Sequence, residues 1–150
     1  GPPRCEEVAT LNQIRWVNDS KGTNLDAVIK ASKAFPTPQI LIAGGVHKGA
    51  SYQPWAEQLS GRVKLILTIG QAASHIATDL GQYFPIENCQ TLHEAVLKAN
   101  QLAKAGDTVL FSPGCSSFDQ FRDYAHRGEC FRSSVLQLER HSDTVKTVGS

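Results

Sequence analysis

Three short runs in this 150-residue chain are apolar at consecutive rather than alternate positions. They are Ile40-Leu41-Ile42-Ala43, the nearly continuous Val63-Lys64-Leu65-Ile66-Leu67-Thr68-Ile69, and Val109-Leu110-Phe111. A strand with water on one side alternates apolar and polar residues, whereas a strand covered on both sides does not. Each run stops at a turn signal, Gly44, Gly70 or Ser112-Pro113, and a helical pattern separates each from the next. Strand and helix in repeated alternation, with both strand faces covered, lead to a mostly parallel sheet with right-handed crossovers. The expected fold class is α/β, Rossmann-like and doubly wound, with helices on both faces.

The other segments fit this plan. Residues 5–18 read as a β-hairpin in which Val8 leads in, Asn12-Gln13 turns, and Ile14-Arg15-Trp16-Val17 returns. A helix is expected from about Leu25, with Thr23 or Asn24 as its cap and Asp26 where the dipole favours an acid. Pro36 and Pro38 end it. A short helix follows Pro54, and the next places Ala72, Ala73, Ile76, Ala77 and Leu80 on one face. Glu87 to Gln90 reads as a short strand. Thr91-Leu92-His93-Glu94 reads as a capping box before a stripe of Leu92, Ala95, Val96, Ala99, Leu102 and Ala103. Gly106 stands in the left-handed cap position behind it. A last helix is expected from about Phe118, broken near Arg127-Gly128 and resuming to about Leu138.

Composition removes several classes of function. A chain with 41% hydrophobic and 19% charged residues should be globular. A net charge of +1 gives no bulk attraction for nucleic acid or an anionic membrane, so neither is an expected partner. No apolar run approaches the ~20 residues that span a bilayer, and the start does not read as a signal peptide. A cytoplasmic, monomeric single domain over 1–150 is the expectation. The four cysteines form no CxxC pair and no metal set, and are expected as free thiols. His47, His75, His93, His126 and His141 are read as surface or structural, Trp16 and Trp55 as packing residues, and Arg62, Lys64, Arg122 and Arg127 as solvated charges.

In a doubly wound sheet, ligands bind beyond the carboxyl ends of the strands. Four turns fall there: NDSKGTN (18–24), GGVHKGAS (44–51), GQAAS (70–74) and SPGCSSFDQF (112–121). All but GQAAS are dense in polar groups. GGVHKGAS is not a Walker A loop, because Lys48 precedes the second glycine instead of following it. Its Gly-Gly still lets a ligand approach the backbone, with Lys48 as a cation. NDSKGTN offers Asp19 for a ribose hydroxyl, and Lys21 and Thr23 for an anion. In the last turn Ser116 or Ser117 can cap a helix, whose N-terminus can also hold an anion. The chain has no G-x-S-x-G, so a serine nucleophile is not expected. Each turn alone is equally a solvated connection. Together they suggest a small carboxylate or phosphate ligand, and they also fit a stand-alone Rossmann-like module that binds a small anion or nucleotide without catalysis.

NDSKGTN, ILIAGGVHKG and VLFSPGCSSFDQFRDYAHRGECF, in this order and spacing, closely resemble the C-terminal domain of the Mur ligase family, in its D-glutamate-adding branch. The resemblance implies an ATP-dependent, amide-forming ligase of bacterial peptidoglycan synthesis. Its N-terminal and central domains would lie outside these residues. The central domain would hold the P-loop, the Mg2+ sites and a carbamylated lysine, and would make an acyl phosphate from UDP-N-acetylmuramoyl-L-alanine. The amine of D-glutamate attacks it, and the tetrahedral intermediate loses phosphate. By the same resemblance, Arg4, Asp19 and Lys21 meet the nucleotide, Asp19 on the ribose. Lys21 and Thr23 lie near the γ-phosphate and D-glutamate. Lys48 pairs with one D-glutamate carboxylate, and Ser117 with the backbone of Phe118 holds the other at a helix N-terminus. Tyr124 stands where the family has a Phe beside the substrate. Lys21, Thr23 and Lys48 would be the catalytic residues, with no metal ligand in this domain. Val46 departs from a family acid and Pro3 from a family His. ATP, ADP and D-glutamate are the expected small partners, and the central domain in cis the expected protein partner. The domain alone should bind no cofactor tightly and should be inactive.

Overall fold

The computed structural model describes the backbone of residues 5–149 and the side chains of 5–140. Arg4 and Pro3 lie outside the described residues. The elements are β1 (Glu6–Leu11), β2 (Ile14–Asn18), α1 (Leu25–Ala34), β3 (Gln39–Gly44), α2 (Pro54–Gln58), β4 (Val63–Ile69), α3 (Ala73–Leu80), β5 (Ile86–Gln90), α4 (Leu92–Leu102), β6 (Thr108–Phe111) and α5 (Tyr124–Gly149). One six-stranded sheet runs in the order β1-β2-β6-β3-β4-β5. Only the β1–β2 pair is antiparallel.

Both faces of the sheet are covered, as the continuous apolar runs require. Along β3, Leu41 and Ala43 join one core with Val28 and Ala31 of α1, Trp55 of α2, and Ile76 and Leu80 of α3. Ile40 and Ile42 join the other, with Leu92, Ala95, Val96 and Ala99 of α4 and Phe131 and Val135 of α5. The handedness rule explains the division. Connections running one way across the sheet place α1, α2 and α3 on one face, and the return from β5 to β6 places α4 on the other. Trp16 and Trp55 are fully buried, and Cys89, Cys115 and Cys130 are free thiols.

Local signals set most element ends. Asn12 and Gln13 have φ of 53° and 64°, the left-handed pair of a two-residue hairpin turn. Asn24 caps α1, its side chain accepting from the Ala27 N–H at 2.9 Å. Thr91 caps α4 through the Glu94 N–H. The capping box is only half made, because the Thr91 N–H donates to the Cys89 carbonyl.

Several expectations are corrected. Ala77 and Leu102 are exposed. Gly106 does not cap α4, which ends at Leu102 with an extended Ala103. Gly106 closes the turn into β6 and donates to the Gln13 carbonyl. The last helix begins at Tyr124, not near Phe118, and runs through Arg127-Gly128 without a break. Its cap is Asp123, which accepts from the His126 N–H at 2.8 Å. Gly128 serves close packing: a Cβ there would lie 3.1 Å from Asn18 Nδ2 and 3.3 Å from Ser20 Cβ. Three of the four charges read as solvated are engaged. Arg62 donates to the Ser32 and Phe35 carbonyls at the end of α1. Lys64 pairs with Asp107 at 2.6 Å, and Arg127 is fully buried.

Gln13 carries left-handed strain that glycine would not. Gln13→Gly should relieve about 1–2 kcal/mol against about 0.4–1 kcal/mol of added unfolded-chain entropy. A small rise in the urea midpoint is expected; a fall would show that the turn is not strained.

Candidate functional site

The parallel strands all present their carboxyl ends at one edge. At that edge the chain leaves β6 towards the α5 face, while its neighbours β2 and β3 lead to helices on the opposite face. The crevice this creates is where doubly wound sheets bind ligands.

Backbone hydrogen bonds join the three polar turns there. The Gly114 N–H donates to Gly22 O at 2.7 Å, the Gly44 N–H to Pro113 O at 2.9 Å, and the Val46 N–H to Ser116 O at 3.1 Å. The turn glycines permit this approach. Gly45 has φ of 136°, and a Cβ on it would come 2.3 Å from Ser116 O. Arg127 bonds two of the turns from beneath. It donates from Nε to Ser20 Oγ at 3.1 Å, from Nη2 to Ser20 O at 2.7 Å, and from Nη1 to Cys115 O at 2.9 Å. Burial lowers its pKa to about 10. Nothing in the sequence separates this arginine from a surface one, since its partners are distant in the chain.

A cleft of about 520 Å³ opens among these turns at the start of α1. Thr23, Asn24, Lys30, Lys48, Tyr52 and Cys115 contribute to its lining. Thr23 and Lys48, expected from separate turns, therefore meet in one cleft. The cleft floor was not anticipated. The Tyr52 hydroxyl lies 3.3 Å from Cys115 Sγ and 3.3 Å from His47 Nδ1. Burial, then the bond to Cys115, pushes the Tyr52 phenol far above its usual range. Burial likewise pushes the Cys115 thiol up. His47 stacks on His75 with ring centroids 3.6 Å apart.

The remaining expected residues lie outside that lining. Lys21 Nζ sits 5.8 Å from the centre of the Tyr124 ring, an attractive cation–π placement. Phe118 is 70% exposed. Ser117 is buried and caps no helix, because α5 starts later. Its carbonyl accepts from the Gln120 and Phe121 N–H groups in a tight turn. Asp19 also departs from expectation. It is fully buried, and its Oδ2 accepts from Ser112 Oγ at 2.8 Å, tying the end of β2 to the end of β6. As placed it presents no surface to a ribose.

These features define a doubly wound α/β domain with an anion-suited cleft at a switch point. Residues 3–115 match the family described as "Mur ligase, glutamate ligase domain", and the chain belongs to that family. A UDP-N-acetylmuramoylalanine--D-glutamate ligase of Protochlamydia amoebophila is 49% identical over 135 residues, 90% of this chain and 30% of the relative. A ligase of the same name from Nitrosococcus oceani is 44% identical over 139 residues, 91% and 31% of the two chains. The chain thus spans about 30% of the length of the curated relatives it matches. A solved UDP-N-acetylmuramoyl-L-alanyl-D-glutamate--2,6-diaminopimelate ligase shares the fold, with a TM-score of 0.57 and 16% identity over 82% of this chain and 28% of that one.

Removing Arg127 leaves buried carbonyls of Ser20 and Cys115 without their donors. Arg127→Met should cost about 2–5 kcal/mol in chemical denaturation, and Arg127→Lys should rescue little, because an ammonium cannot span the same acceptors. A loss below ~1 kcal/mol would remove Arg127 from its structural role.

Tyr52 gives a pH signature. The folded state holds its proton more tightly than the unfolded chain, so stability is lost as pH rises through the unfolded phenol value near ~10. Tyr52→Phe should flatten the stability–pH curve above that point. Parallel curves for the two proteins would show that Tyr52 ionises as freely folded as unfolded.

Proposed function

We propose that this chain is the C-terminal domain of a ligase that joins D-glutamate to UDP-N-acetylmuramoyl-L-alanine, through an acyl phosphate, in bacterial peptidoglycan synthesis. The observation that carries the reading is the meeting of Thr23 and Lys48 in one cleft at the N-terminus of α1. D-glutamate brings two carboxylates and an amine that must stay free to attack. Lys48 suits one carboxylate as a charge-assisted donor. Ser117 and the Phe118 N–H, in the adjoining turn, suit the other. With both ends of the amino acid fixed, the amine is aimed, which is catalysis by orientation. Such a domain needs no general base or nucleophile of its own.

The nucleotide fits in part. Lys21 and Thr23, in the turn that enters α1, suit the phosphate end of ATP. Asp19 does not suit the ribose as placed, and its role here is to hold Ser112 beneath the turn. Among the described residues, no three His, Cys, Asp or Glu side chains gather as a metal group; Mg2+ and the P-loop are assigned to a central domain supplied in cis. Closure of the two domains would complete a site of which this chain provides one side. The cell compartment that fits this chemistry is the bacterial cytoplasm.

The test uses the full-length chain that carries this domain, supplied with ATP, UDP-N-acetylmuramoyl-L-alanine and labelled D-glutamate. Product is expected with D- but not L-glutamate. Lys48→Ala and Thr23→Ala should each lower kcat/KM for D-glutamate by about 100-fold, the loss of a charge-assisted bond. The 150-residue chain alone should release no phosphate above the no-enzyme control. Absence of D-glutamate incorporation by the full-length chain would leave a binding module without ligase chemistry.

A further inference from the structure

The turn Gly70-Gln71-Ala72, the one strand-end turn poor in polar side chains, touches both loops assigned above to the amino acid. The Ala72 N–H donates to Gly45 O at 2.8 Å, in the loop that leads to Lys48. The Gln71 N–H donates to Asp119 Oδ2 at 3.1 Å, in the loop that carries Ser117 and Phe118. Gly70 makes the seat tight. Its φ is 68°, and a Cβ on it would come 2.2 Å from Asp119 Oδ2 and 3.2 Å from Gly45 Cα. Next to Asp119, Gln120 Nε2 donates to the Gln90 carbonyl at the end of β5, at 2.9 Å.

The loop needs this support. Its local hydrogen bonds include two into the Ser117 carbonyl and one from the Arg122 N–H to His126 Nδ1 at 3.2 Å, and the regular helix begins only at Tyr124. Asp119 and Gln120 anchor it to the ends of β4 and β5. A segment held this way keeps Ser117 and the Phe118 N–H at a set distance from Lys48, because one rigid turn indexes both loops.

We infer that Asp119, seated on the Gly70-Gln71 turn, is a positioning residue for the amino-acid substrate, setting the loop that holds one carboxylate against the loop that holds the other. The inference rests on the D-glutamate reading above. Asp119 performs no chemistry and acts through Ser117 and Phe118. Displacement of such a loop by ~1 Å can cost on the order of 100-fold in rate, and the loss should fall on the amino acid rather than on ATP.

The experiment is steady-state kinetics of the full-length chain, varying D-glutamate, ATP and UDP-N-acetylmuramoyl-L-alanine in turn. Asp119→Ala should raise KM for D-glutamate by about tenfold or more and leave the other two KM values within about twofold. Asp119→Asn keeps an acceptor oxygen for the Gln71 N–H and should recover most of the affinity. Gln120→Ala, which removes only the neighbouring anchor, should raise the same KM by a smaller factor and carries the test if Asp119→Ala does not fold. An unchanged KM for D-glutamate in both alanine variants, or a parallel rise in all three KM values, would overturn the inference. A wild-type enzyme that does not use D-glutamate would instead overturn the functional reading, and with it any role for Asp119 in that reaction.

Discussion

The edge of this sheet that matters for binding depends on one buried guanidinium. Arg127 reaches up from α5 and donates to backbone or hydroxyl oxygens of Ser20 and Cys115, residues that belong to different strand-end turns. Planar and always able to donate in several directions, arginine is the side chain suited to such a node. Its burial costs free energy, which the lowered pKa records. That cost is offset only if the acceptors are fixed, and so the turns are fixed as well. The Ser20 hydroxyl completes the link by donating to Tyr124 O at 2.6 Å, at the start of the helix from which Arg127 comes. Phe111 lies beneath the guanidinium, 5.9 Å from its carbon.

From that node the geometry of the cleft follows. With Ser20 and Cys115 held, the Gly114–Gly22 and Val46–Ser116 hydrogen bonds can close, and the three turns behave as one surface. Thr23 and Lys48 then face a common space without being in contact through their own backbones. Under the proposed function, the two carboxylates of the ligand would be met by groups on separate turns whose spacing is set from below. The same rigidity explains why polar groups that look available in sequence are occupied. Asp19, for one, lends its carboxylate to Ser112.

The sheet and its order of elements were legible because burial on two faces leaves a mark that no local accident imitates: Ile40, Leu41, Ile42 and Ala43 alternate between two cores, so all four are apolar. The hairpin and the caps were legible because their causes lie within a few residues, as with Asn24 and the Ala27 N–H. The last helix was misplaced for the opposite reason. Ser116 and Ser117 look like caps, but residues 118–123 are held by Gln71, reached through Asp119, and by Gln90, reached through Gln120. Arg127, expected as a solvated charge, was misread in the same way, and the burial of Asp19 was not foreseen. Charge type does not reveal burial, and Ser20, which Arg127 reaches, and Ser112, which Asp19 accepts from, stand 107 and 93 residues away. The meeting of Thr23 with Lys48 was expected only as a shared edge, and the Tyr52–Cys115 floor was not visible at all.

Under the function proposed above, a chain built like this would separate recognition from chemistry. Tyr52 and Cys115 are buried with their ionisation suppressed, while His47 stands half-buried beside the Tyr52 hydroxyl and Asp26 joins the cleft lining. The lining also carries Lys30, Lys48 and the Thr23 hydroxyl, groups that orient anions without exchanging protons with them. In an amide-forming ligation driven by ATP, the energy enters through the acyl phosphate, and the amine needs only to arrive unprotonated and aligned. On the function proposed above, a domain that fixes both carboxylates and leaves the amine free would do that much and no more. On that reading the remaining work would fall to a surface closing over the cleft, and rigid turns would let it meet a receiving side that does not have to reorganise.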